Sequence, residues 1–199
     1  MDYPWSIPLR PDALRPDTMV WTLVKAGLQS TSPYAGSTES VVFPGWYWRI
    51  SITLPARLSD NGGELEGFLE RLAGGANVVL ISHWLRPVPR GTMRGMPSIS
   101  VPGARGDTTI SIATAGTLMA GDLFGVGNRV YKAADSCVAV AGVLTVPITS
   151  TVDRTLQAGA AVLWNAPTVR CIIPSMTHSS AYQAGGIMAS TPLDLMETI

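Results

Sequence analysis

The sequence predicts a mainly β protein with one amphipathic helix, in which a second, all-β unit interrupts the first. Three observations carry this. Runs of β-branched and aromatic residues, separated by Gly, Pro, Asn and Asp, recur along most of the chain. Only one segment has a convincing helical period. The texture changes twice, near residues 95 and 167, where Pro and Gly cluster or Ala166-Pro167 intervenes.

Taken in order, MVWTLVKAG (19–27) reads as a strand and 28–40, rich in Ser, Thr and Gly, as a loop. FPGWYWRISITLP (43–55) is the strongest strand. Trp46, Trp48, Ile50 and Ile52 share one parity, and Tyr47, Arg49, Ser51 and Thr53 the other, so one aromatic face is expected to be buried. LSDNGGELEGFLERLAGG (58–75) is the helix. Asp60 or Asn61 can cap it, Glu64 and Glu66 suit its positive end, and Gly74-Gly75 closes it. Leu65, Phe68, Leu69 and Leu72 form its apolar stripe and should meet the aromatic strand face in one core. NVVLISHWL (77–85) follows as a buried strand.

RPVPRGTMRGMP (86–97) has no periodicity and reads as a solvated connector. Beyond it, SISVPG, TTISIATAG, DLFGVGNRVYKAAD, LTVPITS and AAVLWNAP are short strands at the spacing of a small barrel or sandwich. TVRCIIPSM (168–176) is again a strand. Too little chain follows it to build a domain, so it is expected to join the sheet of the first unit. The tail after it shows no firm element. The expected division is therefore 1–95 plus 168–199 against an inserted 96–167.

Gly121, Gly125 and Gly127 raise the question of a phosphate loop. Such a loop needs a strand, glycines and then a helix, whereas NRVYKAAD alternates as a strand does. The spacing fits neither GxGxxG nor GxxxxGK[ST]. A hairpin turning at Gly127-Asn128 explains the glycines as geometry. Arg105-Gly106-Asp107 likewise reads as a turn. No GxSxG elbow, HExxH or DxDxDG is present, and Glu66 and Glu70 share only a solvent-side helix face. No catalytic, cofactor-binding or metal-ligating residue is expected, and no cofactor. His83 and His178 read as structural or surface residues. Cys137 and Cys171 cannot make a zinc site alone and read as small core residues.

Charged residues make up only 14 % of the chain, against a usual roughly 25 %, and fourteen basic side chains balance fourteen acidic ones. Such a surface suits contact with other protein and supplies no field for nucleic-acid phosphates. No apolar run is long enough to span a membrane, and the first residues lack the apolar core of a signal peptide, so synthesis and folding in a cytoplasm are expected. The span 18–56 carries only three charged side chains, Lys25, Glu39 and Arg49, and six aromatics. Tyr47, on the parity left over by the core, and Tyr3 and Trp5, on a Pro-broken arm, are the candidate contacts with other subunits.

Two segments carry a resemblance. WRISITLPARLSDNGGELEGFLERLAGGANVVLI resembles a recurring strand–helix–strand segment of bacteriophage tail structural proteins. AGTLMAGDLFGVGNRVYKAADSCVAVAGVLTVPITSTVDRTLQAGAAV is similar to a second segment of the same proteins, departing from it at STVDRTL. Together they cover about 43–173. The resemblance implies a distal tail protein of a tailed phage. Its β-sandwich-like ring domain, with one amphipathic helix, would be interrupted by a small OB-like β-barrel. It further implies a non-enzymatic virion protein, assembled in the host cytoplasm as a hexameric ring at the distal end of the tail or baseplate. Its partners would be copies of itself and tail tube, hub, fibre or receptor-binding proteins. A head-to-tail connector or another hub protein is the alternative position. A carbohydrate- or receptor-binding module is the alternative function, for which the barrel region offers only Phe124, Tyr131 and Trp164.

Overall fold

The computed structural model describes residues 2–3, 16–31, 33–34, 36–72, 77–175 and 179–198. The fold is mainly β, with a single helix among the described residues. In chain order come β1 (Asp2–Tyr3), β2 (Thr18–Thr31), β3 (Thr38–Leu54), β4 (Arg57–Leu58), α1 (Ser59–Leu72) and β5 (Val78–Ser82). Then come β6 (Ser98–Ile99), β7 (Thr109–Ala113), β8 (Thr117–Leu118), β9 (Leu123–Val126) and β10 (Arg129–Lys132). β11 (Cys137–Val138), β12 (Val143–Pro147) and β13 (Val162–Leu163) follow. The chain ends with β14 (Thr168–Ile172), β15 (Tyr182–Gln183), β16 (Ile187–Met188) and β17 (Thr191–Glu197).

The chain divides into two compact units. The first comprises Met1–Thr22, Trp48–Pro87 and Ala166–Ile199, and the second Leu23–Tyr47 and Val88–Asn165. Compared with the expected segments, 23–47 and 88–95 group with the second unit, and 166–167 with the first.

A six-stranded sheet, ordered β1-β5-β14-β17-β3-β2, builds the first unit. β1 runs parallel to β5, and the pairings of β5 with β14, β14 with β17 and β17 with β3 are antiparallel. Alternation decides its buried face. Ile52 lies opposite Leu193, Ile50 opposite Leu195, Cys171 opposite Val79 and Val169 opposite Ile81, and all eight are buried. On the other parity, the Ser51 hydroxyl donates to Asp194 at 2.6 Å, with Arg49 at 4.0 Å from the same carboxylate. The strand expected at 168–176 forms as β14 and pairs only within this sheet.

β17 has no counterpart in the sequence reading. Thr191, Leu193 and Leu195 alternate inward, but Pro192, Asp194 and Glu197 dilute the β signal. Its ladder with β14 reaches only Met196 and Glu197, so Pro192 lies where that side is already unpaired. The helix begins at Ser59, which puts Asp60 and Asn61 inside its first turn instead of ahead of it. The expected cap at Gly74-Gly75 lies outside the described residues. Leu65, Leu69 and Leu72 are fully buried, while Phe68 is only half-buried, so the stripe is narrower than its sequence suggests. The helix packs against β4 and β16. A Cβ at Gly62 would stand 2.9 Å from Met188 Cβ, which is why a helix interior tolerates a glycine there.

Three small sheets, β12-β7-β6, β10-β9-β13 and β11-β8, make up the regular part of residues 88–165 of the second unit, to which the outer halves of β2 and β3 also belong. Isolated bridges at Ser98–Ala161, Gly103–Leu156 and Ala133–Ile148 knit them around Ile112, Phe124, Val130, Leu144 and Val146. β9 and β10 form the expected hairpin, with Val126 opposite Arg129. Gly127 has φ of 61° and Asn128 does not share the positive sign, the pattern of a type II′ turn. The glycine cluster therefore shapes a hairpin.

Two expectations are corrected here. The segment 28–40 is mostly strand, because β2 and β3 lengthen each other by pairing and leave only 32–37 between them. Residues 86–97 are not a solvated connector: Pro89, Gly91, Met93 and Pro97 are buried. The Met93 N–H donates to Thr117 O at 3.1 Å, and a Cβ at Gly91 would lie 2.1 Å from that same oxygen. Only glycine permits this approach, and no periodicity in 86–97 signals it.

Candidate functional site

Two charged clusters organise the second unit. Arg129 opens β10 directly after the turn and is 1 % exposed. Its guanidinium carbon lies 4.0 Å from the centre of the Trp46 ring, Nη2 donates to Trp46 O at 3.1 Å, and Nε is 3.1 Å from Asp153 Oδ2. The Tyr131 hydroxyl donates to Asp153 Oδ1 at 3.0 Å, and Trp46 Nε1 donates to Thr151 O at 2.6 Å. Trp46 and Tyr131 meet edge to face at 5.6 Å. Burial, and then the Asp153 charge, push the Tyr131 phenol up, so it stays a neutral donor. The cluster fixes Trp46 in this unit. The expectation that Trp46 shares a core with Trp48 is thereby corrected, since Trp48 packs with Trp21 in the first.

Asp122 is the second cluster. Its buried carboxylate accepts from the N–H groups of Gly91 (2.9 Å), Met119 (2.9 Å) and Arg90 (3.1 Å), with Arg90 Nε at 3.3 Å. Burial alone would raise its pKa, and the hydrogen bonds outweigh that and hold it below the usual carboxylate range. Asp122 thus clasps the segment 90–91 to the turn at Met119, where Gly121 has φ of 85°. Both clusters fasten chain to chain and leave no free acid–base pair.

Of the candidate contacts, Tyr3 pairs through its backbone with Val79 at the edge of the six-stranded sheet. Tyr47 is half-buried, and Trp5 and His178 lie outside the described residues. Tyr3 belongs to the first unit and Tyr47 to the second. The proposed barrel aromatics do not form a platform. Phe124 and Tyr131 are fully buried, and Trp164 lies under the Arg94 guanidinium at 5.0 Å. In the RGD turn, the Asp107 carboxylate accepts from the Ala104 N–H at 2.7 Å. Cys171 is buried, its thiol pushed up by burial and then by Glu197, whereas Cys137 is only half-buried, contrary to its reading as core. Among the described residues no group of three or more His, Cys, Asp or Glu side chains could hold a metal, and no helix is long and apolar enough to cross a membrane.

The feature sequence reasoning missed is the outer half of the β2–β3 pair. Every side chain described between Lys25 and Gly45 is exposed, on both faces. Leu28 is 68 % exposed and Tyr34 99 %, with Val41 and Phe43 exposed beside them. A two-stranded ribbon is at best marginally stable alone, and this one shows water an apolar surface with few charges. The signal was available in the low charge of 18–56, but not in any periodicity. No protein-family model and no curated protein matches this chain.

Proposed function

We propose that this chain is a non-enzymatic structural protein of a tailed-phage particle, assembling with copies of itself as a ring at the distal end of the tail. The observation that carries this reading is the outer β2–β3 ribbon, 25–45, long, low in charge and, among its described residues, exposed on both faces with Leu28, Tyr34, Val41 and Phe43. Interface cores are depleted in charge and enriched in aromatics, which is the composition of this segment. Edge strands of this length are ordinarily blunted by charge or proline, and β2 carries only Lys25. The resemblance of 43–173 to tail structural proteins gives the reading its position in the particle. Copies of the chain and adjoining tail proteins are the partners, and the virion is the place.

Light scattering after size exclusion, with electron microscopy of the same fractions, tests it. The wild-type chain is expected to form closed oligomers, and Leu28→Glu with Val41→Glu to give a folded monomer. A wild-type chain that stays monomeric at every concentration, and particles unaffected by the double substitution, would end this reading.

A further inference from the structure

One groove of the second unit has the chemistry of a ligand site. It has a volume of about 230 Å³ and is lined by Lys25, Phe43, Trp46, Thr108, Thr149 and Ser150, among others. That is below the roughly 300–1,000 Å³ of sites for drug-sized molecules, and it is open on one side. Its lining divides into three chemistries. Lys25 is an exposed cation with no ion pair among the described residues. Phe43, 47 % exposed, offers an aromatic face, while the neighbouring Trp46 is held in place by Arg129 and Thr151. Thr108, Thr149 and Ser150 bring hydroxyls, each able to donate and accept.

Thr149 supplies a further sign. The residue is partly exposed, yet its hydroxyl is enclosed and has no hydrogen-bond partner among the described residues. Leaving a buried hydroxyl unpaired forfeits its hydration with nothing gained in return. A ligand that draws this hydroxyl toward the groove by rotation about χ1 and offers it a partner relieves that cost.

We propose that this groove binds one acidic sugar residue, a uronate. The sugar carboxylate pairs with the Lys25 ammonium, a charge-assisted contact. The ring hydroxyls, which donate and accept as Ser and Thr do, bond to Ser150, Thr108 and the reoriented Thr149. The C–H face of the ring lies on Phe43, because those hydrogens carry partial positive charge and the aromatic face is negative. A bare carboxylate would use Lys25 alone and leave the hydroxyls unmatched, and a neutral sugar would leave the cation unmatched. The open side lets a polysaccharide continue beyond the bound residue. The groove shares Phe43 with the ribbon that the ring reading covers, so the titration is made on the Leu28→Glu, Val41→Glu monomer, in which failure of the site and failure of the ring are distinguishable.

The experiment is a titration of this full-length monomer with glucuronate, glucose and acetate, followed by amide NMR. Glucuronate is expected to give saturable shifts at residues 43, 108 and 148–151 with millimolar affinity, several-fold tighter than glucose or acetate. Lys25→Gln should reduce glucuronate to the level of glucose. Thr149→Val, which keeps the shape and removes the hydroxyl, should weaken both sugars and leave acetate unchanged. Made in the same monomer, both variants should match its spectrum outside the groove. Absence of saturable shifts at these residues overturns the proposal. So does acetate binding as tightly as glucuronate, which would make the groove a bare carboxylate or acidic-peptide site. Glucuronate affinity unchanged in Lys25→Gln overturns it as well.

Discussion

β3 has two halves with the same extended backbone and opposite surroundings. From Trp48 to Leu54 it alternates cleanly, with Trp48, Ile50, Ile52 and Leu54 at no more than 1 % exposure, because β17 pairs beside it and a buried face lies beneath. From Thr38 to Gly45 every described side chain is exposed. Trp46 marks the change, fixed not by an apolar layer but by a cation, a carbonyl and the Tyr131 ring. The contrast teaches that alternation records which residues could be buried. What lies opposite decides which are.

Substitutions along this line should fall in a graded series. The largest effect is expected in the inner half. Trp48→Ala removes a fully buried ring and should cost about 3–5 kcal/mol in a denaturant titration. An effect no larger than that of a surface substitution would mean the two halves are not different in kind. At the midpoint, Arg129→Met leaves Asp153 without its closest cation and should cost about 3 kcal/mol, the lower end for a broken buried pair because Arg154 still reaches Asp153 at 3.3 Å. Tryptophan fluorescence should report it, since Trp46 loses the guanidinium over its ring. An unchanged emission spectrum would show that the cation does not hold Trp46.

Phe68→Ala sharpens the comparison from the helix side. A fully buried phenylalanine would cost about 3–5 kcal/mol, but half-burial brings the expected loss to about 1–2 kcal/mol. Asp122 gives a pH signature. Its folded pKa lies below the unfolded value, so its contribution is fully present above about pH 4, the ordinary aspartate range, and is lost as pH falls through the folded pKa. Asp122→Asn should therefore lower stability at pH 7 and flatten its acid dependence. A variant with the wild-type acid profile would remove Asp122 from the clasp. The smallest change in stability belongs to the outer half: Leu28→Glu should shift it by no more than about 0.5 kcal/mol while abolishing self-association. A large loss of stability in that variant would show that the outer ribbon is packed within the chain.

Much of this fold is legible in local chemistry. The period-2 face of 48–54, the helical stripe of Leu65, Leu69 and Leu72, the hairpin at Gly127-Asn128 and the returning strand at 168–172 each follow from side-chain spacing or from the φ a turn requires. Such signals need only near neighbours. The candidate contacts are less legible: Tyr47 follows from parity, but the exposed ribbon is visible only once the strands are seen to run on past the core.

What the tertiary structure alone decided depends on pairs far apart in sequence. Arg129 meets Trp46 and Asp122 meets Gly91 through contacts that carry no period, because a charged side chain is buried by its partner and not by its neighbours. Gly91 looked like linker and proved to be a contact point, since the atom it must avoid, Thr117 O, is 26 positions away in the chain. β17 could be placed only by the edge it completes, as Pro192 and Asp194 weaken its propensity while β3 supplies the ladder. Local spacing determined that this chain would form short strands, one helix and tight turns. Which faces were covered, and which charges were buried, was settled by the free energy of long-range pairing, which local spacing does not encode.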